Sequence, residues 1–147
     1  MARLILSKKE FEIMEALWKL NRPVSFQEIL EYNPGLNRNT LLTTMRKLQS
    51  AQLVKVEGVG YSNTSLTRLF TYKLSMSQYI SQFMDDSQKA DMALSLIDDI
   101  ALPKELMKIR DSASQKYEVN KTAADEEEEE EQETETGVIY PFNKNKD

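Results

Sequence analysis

The hydrophobic and polar positions of the first part of the chain predict short amphipathic helices. The sequences Ser7-Lys8-Lys9-Glu10 and Ser25-Phe26-Gln27-Glu28 are capping boxes, in which the Ser and Glu side chains bind each other's backbone amides at the start of a helix. The first helix is predicted to extend to about Leu20 and the second to about Tyr32. The first buries an apolar face made of Phe11, Met14, Leu17 and Trp18.

A third amphipathic helix is predicted from about Asn37 to about Ala51, after the turn sequence Asn33-Pro34-Gly35. At about 100° per residue its apolar side holds Leu41, Met45, Leu48 and Gln52. Its polar side holds Asn39, Thr43, Arg46, Lys47 and Ser50. An ordinary surface helix has a similar polarity, but Asn, Arg and Thr are also the residue types that contact DNA bases.

Two strands are predicted after the third helix. The segments Leu53–Glu57 and Phe70–Leu74 alternate between apolar and polar residues. Between them, Gly58 to Arg68 is rich in Gly, Ser, Asn and Thr and is predicted to be a loop, with Gly58-Val59-Gly60 as a turn rather than a phosphate loop. Three helices followed by a small antiparallel β-hairpin predict a mainly α fold, a winged helix-turn-helix over residues 1–75.

Residues 76–115 are predicted to form three short amphipathic helices. Their apolar positions recur at helical spacing, and Pro103 suits the first turn of the third helix. Such short helices are too small for a core of their own, so they either pack back onto the winged helix or pair with a second chain. We expect the second, a homodimer, and the apolar residues concerned are Met76, Tyr79, Ile80, Phe83, Met84, Met92, Ala93, Leu96, Ile97, Ile100, Leu102, Leu106 and Ile109.

The net charge of −5 conceals an uneven distribution. Residues 1–75 hold 11 Lys and Arg against 6 Asp and Glu, a net +5, whereas residues 125–147 hold 2 against 10, a net −8. Because salt screens distant charges, the local positive charge permits binding to phosphates. The acidic run from Glu126 to Glu131 lacks apolar residues, so residues 116–147 are predicted to be a linker and a disordered acidic tail.

Composition excludes several kinds of chemistry. The chain has no Cys and no His, which argues against disulfides, thiolate catalysis and ordinary zinc or copper sites. No nucleophile–base pair is apparent, so we expect neither an enzyme nor a cofactor. The apolar runs are too short to span a bilayer, and no secretory signal is present, so we expect a cytoplasmic protein without a membrane partner.

Five segments in order resemble the penicillinase and methicillin-resistance repressors of the BlaI/MecI/CopY type. Leu6-Ser7-Lys8-Lys9-Glu10 onward to Trp18 is similar to the first helix of that family, and the other segments are 23–30, 40–48, 53–54 and 68–72. The likeness covers residues 4 to 84 well and extends more weakly to about residue 115. It implies a dimeric bacterial repressor that binds a palindromic operator.

In such a repressor the DNA-binding residues would lie on the third helix and the wing. Asn39, Thr43 and Arg46 would contact bases in the major groove, and the other expected DNA contacts are Arg38, Thr40, Lys47 and Arg68. The chain lacks the cysteine motif of the copper-responsive members and the Asn-Phe cleavage site of the antibiotic-responsive members. The effector or protein partner that relieves repression therefore stays open, as do the operator and the regulated genes.

A competing hypothesis belongs to another class of function. A winged helix with an acidic tail also resembles the delta subunit of bacterial RNA polymerase, which would make the chain a protein-binding module acting on polymerase. The polar side of the third helix and the dimer-like segment after the wing favour the repressor.

Overall fold

The computed structural model describes residues 2–137, with the side chains of residues 2–131. Two compact units are distinguished, Met1–Ala90 and Asp91–Asp147. The elements in chain order are α1 (Lys8–Leu20), α2 (Phe26–Tyr32), α3 (Arg38–Ser50), β1 (Val54–Ser62), β2 (Ser65–Tyr72), α4 (Met76–Ser81), α5 (Asp86–Asp99) and α6 (Pro103–Gly137).

Reciprocal capping boxes begin the first two helices, as predicted. At α1 the Ser7 hydroxyl accepts from the Glu10 amide at 3.2 Å, and the Glu10 carboxylate accepts from the Ser7 amide at 3.0 Å. Ser25 and Glu28 make the same pair of bonds at α2. These bonds satisfy amides that have no partner within the helix, which fixes where each helix begins.

The core of the first unit lies where α1, α2 and α3 meet the hairpin. Ile13, Val24, Ile29, Leu41 and Met45 are among its residues that are fully shielded from solvent. Phe11, predicted to be buried, is only partly buried and packs against the edge of this core. The three predicted helices are thus confirmed, and Met14, Leu17, Leu41, Met45 and Leu48 lie on their buried sides as predicted.

The hairpin is longer than the sequence indicated. β1 and β2 pair antiparallel from Val54↔Tyr72 to Ser62↔Ser65, so most of the predicted loop is strand. The chain reverses over two residues, with Asn63 at φ 57°, and not at Gly58-Val59-Gly60. Gly58 instead has φ 136° at an irregularity in the register between Val56 and Val59, a conformation that side chains rarely adopt.

A short bridge connects the hairpin to the helices. The amide of Val24 donates to the carbonyl of Phe70 at 3.0 Å, and the amide of Phe70 donates to the carbonyl of Val24 at 2.7 Å. Val24 lies between α1 and α2, so these bonds hold β2 against the segment that leads into α2. The stacked rings of Phe26 and Phe70, with centroids 4.9 Å apart, strengthen the same junction.

α4 is shorter than predicted and belongs to the first unit. It ends at Ser81, so Phe83 and Met84 lie in the turn that follows it rather than on its apolar stripe. Tyr79, predicted to be a dimer contact, is only 8% exposed and packs in the core of its own chain. Its ring lies 5.9 Å from that of Trp18 and 6.1 Å from that of Phe11.

α6 corrects the prediction for the acidic segment. It begins at Pro103 as predicted, but it continues to Gly137 through residues expected to be a linker and a disordered tail. No Pro or Gly interrupts it before Gly137, and Ala, Glu, Gln and Lys have high helix propensity. The expected disorder therefore does not hold for residues 116–137, and residues 138–147 lie outside the described part of the chain. Among the described residues no helix is long and apolar enough to cross a membrane.

Candidate nucleic-acid interface

α3 is fixed in the molecule by its apolar side. Leu41, Met45 and Leu48 are completely buried against the rest of the first unit. Gln52, which the spacing placed on this same side, is exposed and lies beyond the end of α3 with φ 60°. That prediction was wrong because the helix ends at Ser50, so its periodicity no longer sets the direction of later side chains.

The opposite side of α3 is exposed to solvent along its whole length. Asn39, Thr43, Lys47 and Ser50 follow one another at helical spacing of three or four residues, and all are exposed. Arg38 and Arg46 are exposed beside this row, whereas Thr40 is half-buried. The structure therefore brings six of the seven predicted DNA contacts to accessible positions, the sixth being Arg68 on β2.

Local hydrogen bonds decide which groups on this row are available. The Asn37 side chain accepts from the Asn39 amide at 2.7 Å, so Asn37 serves as the N-cap of α3. The Thr43 hydroxyl donates to the Asn39 carbonyl at 3.0 Å, which uses its proton and leaves the Thr43 methyl group and the hydroxyl lone pairs available. The Asn39 side-chain amide has no hydrogen bond within the described residues and can form a bidentate pair.

A groove of about 390 Å³ separates α3 from β2. Arg46 contributes to its helix side and Arg68 to its strand side, so the two guanidinium groups line one concave surface. The remaining lining residues are Phe26, Leu42, Met45, Gln49, Leu66, Thr67 and Phe70. The sequence did not predict that Arg46 and Arg68 would line the same groove.

The charge of this face is uncompensated. No acidic residue occurs between Glu31 and Glu57, a span that includes all of α3. In the described part of the chain, no ion pair involves Arg38, Arg46, Lys47 or Arg68, whereas Lys9 pairs with Glu12 at 3.3 Å on α1. A concave cationic face without neighbouring carboxylates attracts polyanions.

Other residues of the groove were missed by sequence reasoning. Leu42 lies four residues after Arg38, and Gln49 lies seven residues after Leu42, so both lie on the side of α3 that holds Arg38 and Arg46. The sequence did contain this spacing. Leu66 and Thr67 fell within the predicted loop. Their alternation with Arg68 could have indicated a strand with one face toward the groove.

The remaining predicted dimer residues form exposed or half-buried apolar positions. Met76, Ile80 and Phe83 are exposed in the first unit, while Met84 is half-buried. No side chain of α5 is buried, and its predicted stripe includes Leu96, which is 51% exposed. Ile97, Ile100 and Leu106 are half-buried. Within the described residues, no group of three or more acidic side chains is placed to hold a metal ion.

Comparison with known proteins gives a family. The model for the family described as penicillinase repressor matches residues 6–115 of this chain. In a comparison with curated proteins, no protein matches this chain.

The solved structures that match this chain are distant in sequence. Diamide-treated YodB from B. subtilis is 18% identical to this chain, and the match covers 66% of this chain and 85% of that one with a TM-score of 0.39. A MarR family regulator from Neisseria meningitidis has 15% identity, coverage of 83% and 81%, and a TM-score of 0.41. ZitR from Lactococcus lactis has 13% identity, coverage of 80% and 77%, and a TM-score of 0.40.

Proposed function

The chain belongs to the penicillinase repressor family, and we propose that this DNA-binding transcriptional regulator acts as a repressor by binding a palindromic operator as a homodimer. The observation that carries this proposal is the exposed, acid-free side of α3 next to Arg68 of β2. An α-helix fits the major groove of B-DNA, where each base pair presents a distinct pattern of donors and acceptors.

The exposed side chains of α3 have the chemistry for direct base contacts. The free amide of Asn39 matches adenine, and the guanidinium of Arg46 matches guanine in bidentate geometry. The methyl group of Thr43 can contact thymine while its hydroxyl donates to the backbone. These three residues are the proposed specificity contacts.

The proposed phosphate contacts surround the base contacts. Arg38 is the first residue of α3, Lys47 lies near the end of that helix, and Arg68 lies across the groove on β2. They would hold the strand backbones on both sides of the inserted helix and contribute affinity that does not depend on sequence. Thr40 is half-buried, so we expect it to contribute less than the exposed residues.

Dimerisation is proposed through residues 76–115 because many of their apolar side chains are exposed in the described part of the chain. Burial of a large apolar side chain contributes about 1.5–3 kcal/mol, so several exposed positions on α5 favour a second copy. Two copies would present two recognition helices to half-sites separated by about one helical turn. The proposed interface now excludes Tyr79, which is used inside the monomer.

Selection of DNA from a random duplex pool tests the function. The pool is incubated with the full chain, bound duplexes are sequenced, and the enriched duplex is compared with a scrambled duplex at fixed salt. We expect a palindrome bound about 10³-fold or more tightly than the scrambled duplex. Equal affinity for both duplexes would contradict the proposal and favour a protein-binding module that acts on RNA polymerase.

A further inference from the structure

The N-terminal segment is tied to the turn after α4 by one side chain. The Gln82 side-chain amide donates from Nε2 to the Leu4 carbonyl at 2.7 Å. Its Oε1 accepts from the Leu4 amide at 2.8 Å. A single glutamine thus satisfies both polar groups of a residue that lies 78 positions away in the sequence.

Contacts on either side of Gln82 reinforce this connection. The Tyr79 hydroxyl accepts from the Leu6 amide at 3.2 Å, in a buried position. Phe83 packs its ring edge to face against that of Tyr79, with centroids 5.5 Å apart, and the Arg3 guanidinium lies 5.9 Å from the Phe83 centroid. The end of α4 is therefore held both by the core and by residues 3–6.

The location of this connection matters because α5 begins at Asp86, soon after Gln82. In the proposed dimer, α5 carries apolar contacts to the second copy, while α3 contacts DNA. Whatever fixes the end of α4 on the winged helix also fixes the point from which the dimer segment leaves it. A constant point restricts the two recognition helices to one half-site spacing, whereas a variable point admits other spacings.

We propose that Gln82, through its paired hydrogen bonds to Leu4, is a positioning residue that sets the half-site spacing accepted by the dimer. This inference rests on the proposed function, since it requires a dimer on a two-part operator. Among the described residues, the Gln82 side chain makes no hydrogen bond to α3, which carries the predicted base contacts. Its loss would therefore change which spacing is bound without changing how each half-site is recognised.

The test uses the full chain, its selected palindrome and a set of duplexes derived from that palindrome. In these duplexes the half-sites are moved apart by about 5 base pairs, half a helical turn, which places them on opposite faces of the DNA. A duplex with a single half-site reports recognition alone. We expect the native protein to bind the palindrome at least about tenfold more tightly than the shifted duplex.

The variant Gln82→Leu keeps an uncharged side chain but can make neither bond. We expect its preference for the native spacing to fall to about threefold or less, with single half-site affinity unchanged. Gln78→Leu is the matched control: Gln78 lies on α4, just before the turn that holds Gln82, but its bonds to Ser75 are local and do not reach the N-terminal segment. The control should retain the native spacing preference.

A third variant separates positioning from folding. Gln82→Glu retains an acceptor for the Leu4 amide but loses the donor to the Leu4 carbonyl, so its spacing preference should be intermediate. If Gln82→Leu also loses affinity for the single half-site, the spacing preference of Gln82→Glu tests the inference instead. A native spacing preference in both Gln82 variants would overturn the inference, whereas absence of any spacing preference in the native protein would overturn the proposed dimeric operator binding.

Discussion

Helices α3 and α5 have similar lengths and are both amphipathic, but the structure uses their faces in different ways. The apolar side of α3 is buried in the first unit, which leaves its polar and cationic side exposed. Among the described residues no side chain of α5 is buried, and Leu96 on its apolar side is half-exposed. One helix is packed into the monomer, and the other carries apolar positions that the proposed dimer would cover.

This difference separates two kinds of exposed residue. Polar side chains on α3 are well solvated, so their exposure does not lower the stability of the fold and they remain accessible to DNA. Leu96 on α5 is half-exposed and gains stability only when another surface covers it. Changes to α3 and α5 should consequently affect different steps: contact with DNA in the first case, and assembly in the second.

The largest effect is expected from a charge on the apolar side of α5. In Leu96→Asp an unpaired carboxylate would have to be buried at the proposed interface, so the chain should become monomeric. Because the two half-sites are then bound independently, operator affinity should fall by roughly 10²-fold or more. Sedimentation gives the oligomeric state, and a gel shift gives the affinity.

Leu94→Asp is the matched control for this change. Leu94 is also exposed on α5, at 66%, but lies about 200° around the helix from Leu96. It should leave the dimer and its operator affinity intact. Equal sedimentation of native and Leu96→Asp proteins as dimers would contradict the assignment of α5 to the interface.

The next effect concerns the exposed side of α3. Arg46→Ala should weaken binding to the selected operator by about 1–3 kcal/mol and relax the preference at one base pair. Lys47→Ala should instead weaken all duplexes alike and lower the salt dependence by about one phosphate contact. Titrations of operator and scrambled DNA at several salt concentrations distinguish these results.

Lys9→Ala removes one positive charge from α1, where Lys9 is paired with Glu12. It should change neither operator affinity nor base preference. The same loss of affinity in Lys9→Ala and Arg46→Ala would show that only overall charge matters, and the assignment of Arg46 to a base would then fail.

A smaller effect on stability is expected at the start of α2. The hydrogen bond from the Ser25 amide, followed by the ion pair with Arg22 at 2.9 Å, lowers the pKa of Glu28 below its ordinary value of 4.5. A lowered folded-state pKa gives stability that is complete above the unfolded value and is lost as the pH falls through the folded one.

Glu28→Gln should therefore be less stable than the native protein at neutral pH, by about 0.2–1 kcal/mol for an exposed ion pair, because the amide can still accept from Ser25. The difference should shrink as the pH falls below 4.5. Urea unfolding between pH 3 and pH 7 measures it. A difference that does not vary with pH would show that the carboxylate charge is not involved.

Local elements such as α3 could be predicted from the sequence, whereas contacts between distant segments could not. Capping boxes and local periodicity depend on neighbouring residues, so α1, α2 and α3 were predicted closely. The bridge from Val24 to Phe70 and the burial of Tyr79 against Trp18 join residues far apart in the sequence, and no local pattern indicates them. The shared groove of Arg46 and Arg68 was missed for the same reason.

Charge provides a final comparison, between the cationic α3 and the acidic end of the chain. Residues 125–147 carry a net charge of −8, against +5 on residues 1–75. A polyacid in the same chain is present wherever the cationic helix is, and it resembles the phosphate backbone in charge. It does not present base edges, so it should compete with nonspecific DNA more strongly than with the operator.

Truncation after Ala124 should therefore tighten binding to scrambled DNA a few-fold at low salt, with little change for the operator. The gain should shrink as salt rises, because exposed charges are screened. Replacement of Glu126 to Glu131 by Gln, which preserves chain length and helix propensity, should reproduce most of the gain. If neither variant binds scrambled DNA more tightly at low salt, the acidic end increases solubility and does not compete with DNA.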